Sequence, residues 1–178
     1  MKFIDFFAGV GMMRIGLEQA GHECVGFVEW DKQARKTYMY IHNSESEWNE
    51  SDIRNAKGNT IPKANIWTAG FPCTDISIAG KQRGLNGERS GLFKEVIRLT
   101  KEVPEDRKPS YLVFENVKNT LSINNGWDMY TILSEMDENG YDAEWDVITS
   151  TEVGIAQKRE RVFIVGHLRG RNTARIFV

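Results

Sequence analysis

Lys2-Phe3-Ile4-Asp5-Phe6-Phe7-Ala8-Gly9-Val10-Gly11, followed by Met12-Met13-Arg14-Ile15-Gly16-Leu17-Glu18-Gln19-Ala20-Gly21, decides the fold. Residues 2–7 are a short apolar run rich in β-formers. They pass through a Gly-rich turn into residues 12–20, whose apolar spacing is helical and which end at Gly21. The unit repeats: residues 23–28 predict a buried strand, Glu29-Trp30-Asp31 a turn, and residues 31–42 a helix that Asp31 is placed to cap. Two consecutive β-α units imply a parallel sheet. Residues 65–70 and 111–115 predict further strands, with a helix over 90–101 turning Leu92, Phe93, Val96 and Ile97 towards the sheet. A helix over 127–138 closes at Gly140, and strands are predicted over 143–149 and 161–167. The loop between those two is too short for a crossover helix, which favours antiparallel pairing. The expected fold class is α/β: a three-layer sandwich around a mostly parallel sheet with an antiparallel edge strand.

A chain of 178 residues with 40% hydrophobic content can bury one sizeable core, so one domain is expected over 1–178. The net charge of -2 gives no global basic excess. Charge is nevertheless uneven: Glu45, Glu47, Glu50 and Asp52 form an acidic stretch, while Lys158, Arg159, Arg161, Arg169, Arg171 and Arg175 are opposed only by Glu160. That basic end suits either phosphate or a solvated surface. Two cysteines, Cys24 and Cys73, are too few for a disulfide framework and favour a reducing cytoplasmic setting. Neither a signal peptide nor an apolar run of membrane-spanning length is expected. Residues 70–90 resist the strand-helix scheme, with Pro72, Gly80, Gly84 and Gly87; a loop of that length in a compact domain is usually functional.

In open parallel sheets, ligands bind beyond the carboxyl ends of the strands. Phe7, Gly9 and Gly11 fall there, with close backbone approach and free N–H groups at the helix start. Glu29, ending the second strand, is placed to accept bonds from two ribose hydroxyls, and Trp30 to stack on a purine. Asp52-Ile53 offers an adenine-reading carboxylate and an apolar contact, or a plain loop-to-element transition. This set suits a dinucleotide or S-adenosylmethionine. Arg14 stands where the dinucleotide fingerprint has its third glycine, which disfavours the dinucleotide.

A thiol, Cys73 of Gly70-Phe71-Pro72-Cys73, follows a strand directly and is succeeded by the polar Thr74, Asp75 and Ser77. It is a candidate nucleophile, although an isolated cysteine is often only a small buried hydrophobe. Glu115 ends the apolar run Tyr111-Leu112-Val113-Phe114, where burial would raise its pKa; capping or an ion pair is the competing reading. Gln157, Arg159 and Arg161 alternate, so at β spacing all three face one site.

Asp5-Phe6-Phe7-Ala8-Gly9-Val10-Gly11, Glu29-Trp30-Asp31, Gly70-Phe71-Pro72-Cys73, Glu115-Asn116-Val117 and Gln157-Lys158-Arg159-Glu160-Arg161 together resemble the ordered motifs of the DNA (cytosine-5) methyltransferases, especially the HhaI-type bacterial enzymes of restriction-modification systems. The resemblance implies a Rossmann-like S-adenosylmethionine-dependent methyltransferase fold, double-stranded DNA as partner, no metal, and S-adenosylhomocysteine as product. It implies catalytic roles for Cys73, Glu115, Arg159 and Arg161. Cofactor binding falls to Phe7, Ala8, Gly9, Gly11, Glu29, Trp30, Asp52, Ile53, Phe71, Pro72 and Leu92. Substrate contacts fall to Ser77, Lys81, Gln82, Arg83, Asn116, Val117 and Gln157, with Lys81, Gln82 and Arg83 in a stretch similar to the family's DNA-closing loop. Thr74 departs from the family's usual Gln, and Met12 from its second glycine. Family enzymes continue into a target-recognition region and a final helix. This reading therefore expects a truncated product or one half of a split enzyme, completed by a second chain and weak in sequence-specific methylation alone. Two alternatives are a non-catalytic subunit that binds S-adenosylmethionine and DNA, and a transfer RNA cytosine-5 methyltransferase.

Overall fold

The computed structural model describes residues 1–71, 90–154 and 156–177. Its first strand, β1 (Lys2–Phe6), is flanked on both sides by parallel partners, β2 (Glu23–Val28) and β4 (Ile66–Gly70). A strand so placed has both faces covered, which explains its nearly unbroken apolar run. Alternate residues part to opposite faces. Ile4 and Phe6 join a large core with Leu112 and Phe114, whereas Phe3 packs with Cys24, Ile66 and Leu17.

Helices fill both faces. On the Phe3 side lie α1 (Met12–Gln19), which contributes Leu17, and α2 (Lys32–His42), which stacks Tyr38 on Phe27. On the other side α3 (Phe93–Glu102) buries Phe93, Val96 and Ile97, and α4 (Trp127–Glu138) buries Met129, Ile132 and Met136. Asp31 caps α2 as its sequence position predicts, accepting the N–H groups of Gln33 and Ala34 at 2.9 and 2.8 Å. The expected three-layer α/β sandwich is the observed one.

Among the described residues the sheet has seven strands, in the order β3-β2-β1-β4-β5-β7-β6, where β3 is Trp48–Glu50, β5 Tyr111–Val117, β6 Tyr141–Thr149 and β7 Glu160–Leu168. The antiparallel pairing sits at the expected end. The reversed strand is β7, second from the edge and antiparallel to both β5 and β6. No helix of the described residues is long and apolar enough to cross a membrane.

One strand, β3, is unforeseen in sequence, being three residues long inside the acidic stretch. Tertiary contacts hold it. Arg14, buried on α1, donates two parallel bonds to Glu47 at 2.8 and 2.9 Å and a third to Glu18. Arg35 of α2 bonds Asn49, whose own amide donates to the Glu47 carbonyl. Gly26 lets β2 approach: a Cβ there would lie 2.7 Å from the Trp48 carbonyl oxygen. Removing the guanidinium strands a partly buried carboxylate, so Arg14→Met is expected to cost about 2–4 kcal/mol. Urea unfolding with an unchanged m-value would show this as a lower midpoint; an unaltered midpoint would mean that the pair does not support the edge.

Candidate active site

The turn after β1 is bent by three left-handed residues, Phe7 (φ 57°), Gly9 (φ 57°) and Gly11 (φ 90°). Phe7 is a non-glycine in that region, a conformation that must be over-determined by its surroundings. The next residue supplies part of the hold, the Ala8 N–H donating to the Val28 carbonyl at 3.0 Å. Gly11 is required twice over, by its positive φ and because a Cβ would meet His42 Nε2 at 2.1 Å. The Gly9 N–H donates to Glu29 Oε2 and the Asp31 N–H to Glu29 Oε1, each at 2.7 Å.

Beyond this turn opens a cleft of about 560 Å³, lined by Phe7, Glu29, Trp30, Asp52, Ile53 and Leu92 among others. Its size suits a small-molecule ligand. Ala8, Gly9, Gly11 and Phe71 are not among the residues that line it: the first three lie in the adjoining turn, and Phe71 is buried against Phe93 and Phe114. Glu29 keeps two of the roughly four acceptor sites of a carboxylate for a ligand's hydroxyls. Asp52 is differently engaged. It caps a 3-10 turn over Ile53–Asn55, and Arg54 grips both its oxygens, which holds its pKa below the usual value. The same guanidinium lies over Trp30, 5.3 Å from the ring centroid.

Glu115 lies further along the same edge. It pairs with Gly70 in the β4–β5 ladder, and a Cβ on Gly70 would lie 3.3 Å from Glu115 Oε2. Arg161 forms an ion pair with Glu115, Nε lying 2.9 Å from Oε1. Burial pushes the Glu115 pKa up; Arg161 and Arg159 pull it back without cancelling the rise. Asn116 is buried and committed to backbone, donating to the Phe71 carbonyl at 3.4 Å and accepting from the Val117 N–H at 2.8 Å. It thus joins the end of β5 to the chain leaving β4. The alternation reading of Gln157, Arg159 and Arg161 needs correction, because β7 begins only at Glu160. Only Arg161 projects from the strand. Arg159 still acts on Glu115 through its charge, while Gln157 is exposed and gives its carbonyl to Ser150. Pro72, Cys73, Ser77, Lys81, Gln82 and Arg83 lie outside the described residues.

A cleft beyond the carboxyl ends of parallel strands, with an acid closing the second strand, places the chain among α/β proteins that take a nucleoside-bearing cofactor. Comparison with known proteins narrows this. The family model for C-5 cytosine-specific DNA methylases matches residues 1–177, and the chain belongs to that family. It is 39% identical over 165 residues to Type II methyltransferase M.HhaI of Haemophilus parahaemolyticus, covering 93% of this chain and 48% of that protein. It is 36% identical over 177 residues to Type II methyltransferase M.DsaV of Dactylococcopsis salina, covering 99% of this chain and 48% of that one. The chain therefore spans about half the length of these relatives. Among solved structures it resembles the S. pombe Dnmt2 methyltransferase, with a TM-score of 0.76 at 17% identity over 98% of this chain and 53% of that one. A putative DNA modification methyltransferase encoded within an E. coli prophage gives a TM-score of 0.74 at 20% identity, covering 95% of this chain and 47% of that one. At these identities the two structures bear on the fold alone.

In sequence Asp5 reads as part of a strand and of the first family-like motif, with no role of its own. Its side chain is buried beneath the turn, with Oδ1 accepting from Thr68 Oγ1 at 2.9 Å and Oδ2 without a partner among the described residues. Burial raises its pKa from 3.8 to about 7, against the opposing pull of Thr68 and Arg14. The folded chain then holds a proton that the unfolded chain releases, so the contribution of Asp5 is full below pH 3.8 and is lost as pH rises to about 7. Relative to the natural chain, Asp5→Asn is expected to gain stability steadily across that window and to level off above it. Denaturant unfolding at a series of pH values checks this; a difference independent of pH would mean that Asp5 does not carry the proton.

Proposed function

We propose that this chain is the cofactor-binding and catalytic part of an enzyme that transfers a methyl group from S-adenosylmethionine to carbon 5 of cytosine in double-stranded DNA. The observation that supports it most is the pairing of Gly70 with Glu115. A partly buried carboxyl group with a raised pKa stands beside the strand end from which the sequence runs through Phe71 and Pro72 to Cys73. The family match supplies the reaction class.

Cytosine is a poor nucleophile at carbon 5. Addition of the Cys73 thiolate to carbon 6 makes it enamine-like, and carbon 5 can then take an electrophilic methyl group. S-adenosylmethionine, when bound, supplies that methyl from its sulfonium. Glu115 in its protonated form donates to ring nitrogen 3 and steadies the charge that arrives with the thiolate, while Arg161 and Arg159 take the cytosine oxygen. Loss of the carbon 5 proton to solvent and cleavage of the carbon–sulfur bond restore the ring and release Cys73. Glu29, held by the Gly9 N–H, receives the ribose hydroxyls, and Phe7, Trp30, Ile53 and Leu92 line the rest of the pocket. Because carbon 5 is hidden in a duplex, the base is extruded first. Ser77, Lys81, Gln82 and Arg83 are assigned to DNA contact on the family pattern. Readout of a longer DNA sequence is assigned to the part of the relatives' length that this chain does not span, on the same polypeptide or on a second one. The setting is the bacterial cytoplasm, where the DNA is.

The test uses a duplex carrying a mismatched 5-fluorocytosine, where extrusion costs least. Fluorine cannot leave as a proton, so the methylated adduct should persist through denaturation in gels. Cys73→Ser should give none, and Glu115→Gln should form it more slowly by a factor on the order of 10². An adduct that survives in Cys73→Ser would refute the assignment, and one formed only with RNA would move the substrate class to RNA.

A further inference from the structure

We propose that Arg54 is a resident competitor for the adenine end of the cleft, displaced from Asp52 and Trp30 when the cofactor binds. This rests on the functional reading above. It concerns a residue to which neither that reading nor the family pattern assigns a role.

Arg54 engages both carboxylate oxygens of Asp52. Oδ1 of Asp52 accepts the Arg54 N–H at 3.0 Å and Nε at 2.9 Å, while Oδ2 accepts Nε at 3.0 Å and Nη2 at 2.7 Å. A carboxylate offers about four lone-pair sites, and three Arg54 donors, with Nε shared between the two oxygens, take up most of them. The guanidinium also lies 5.3 Å from the centroid of the Trp30 ring, within reach of a cation–π contact. One side chain thus engages two residues that line the cleft. A ligand amine can bond Asp52 only by displacing the fork, and a purine can take that face of Trp30 only by displacing the same plane.

The lock is also cheap to open. Asp52 and Arg54 are two residues apart, and Asp52 is held in place by capping the turn that carries Arg54. The contact therefore forms and breaks without rearranging the sheet. The Arg54 side chain is 59% exposed while that of Asp52 is 15% exposed, so the guanidinium has room to move outwards while the carboxylate stays in the pocket wall. An ion pair with one partner so exposed is weak and is screened by salt. Because Arg54 holds the Asp52 pKa low, the lock stays charged at neutral pH and responds to ionic strength rather than to protons.

The experiment is calorimetric titration of the full chain with S-adenosylhomocysteine, which carries no net charge near neutral pH. Arg54→Ala is expected to tighten the dissociation constant roughly two- to fivefold, the range set by such a pair. Arg54→Gln, close in size, should tighten it as well, and Arg54→Lys less, since an ammonium lacks the planar fork. Raising the salt should strengthen binding by the natural chain and leave Arg54→Ala unmoved. Asp52→Asn should weaken binding and abolish the gain from Arg54→Ala. If the natural chain binds and Arg54→Ala binds equally or more weakly with its unfolding midpoint intact, the competitor role is overturned and the functional reading stands. If the natural chain binds no S-adenosylhomocysteine, the functional reading fails and takes this inference with it.

Discussion

Two backbone N–H groups, of Gly9 and Asp31, converge on opposite oxygens of Glu29. The first belongs to the turn leaving β1 and the second to the cap of α2, so one carboxylate fastens two neighbouring β-α junctions at the carboxyl edge of the sheet. Parallel strands give no hairpin to fix their ends relative to each other. A side chain must do it, and an acid suits because it accepts several bonds at once and leaves acceptor sites for a ligand. The left-handed backbone at Phe7 and the mouth of the cleft depend on this fastening. A residue that reads in sequence as a ligand-binding acid is thus first a structural one, and its ligand role uses what the structure leaves over.

The opposite rim of the cleft is built by less regular means. The sheet reaches Asp52 only through β3, which pairs with β2 alone. Three residues of edge pairing give little stability. The arginines of α1 and α2 supply the rest, Arg14 to Glu47 and Arg35 to Asn49. Helices selected to cover the sheet thereby also set where the far wall of the pocket stands.

Local patterns made most of this fold legible. Periodicity and glycine punctuation give β2, the α4 helix and the Asp31 cap, because there the local preference and the final environment agree. They fail where long-range contacts decide. Trp48–Glu50 has too few residues for alternation to show and sits among acids, and Arg14 reads only as a misplaced glycine until Glu47 is seen beside it. Gln157 and Arg159 alternate with Arg161 in sequence, but the strand that would give alternation a meaning begins after them. Asp5 marks another limit. No local pattern shows that a charge-bearing residue in an apolar run will keep its side chain inside, since that depends on Thr68 from a strand more than sixty positions away.

The electrostatics divide the carboxyl edge of the sheet into two ends. Asp52 and Glu115 are both carboxyl groups near one cleft, and each has an arginine within bonding distance. Asp52 is nevertheless held towards its charged form, while Glu115 is pushed towards its neutral one. The difference lies in solvent and hydrogen bonding. Arg54 wraps a carboxylate at the rim and bonds both its oxygens, so the pair gains more than it loses by partial burial. At Glu115, in the ladder between β4 and β5, desolvation outweighs the pull of Arg161 and Arg159. One end is thus suited to accept hydrogen bonds and the other to donate one. Environments that drive like groups apart are how a site obtains an acid and an acceptor from the same side-chain chemistry. Here that separation follows the sheet: the accepting group stands outside β2 on the edge strand's loop, and the donating group at the end of β5.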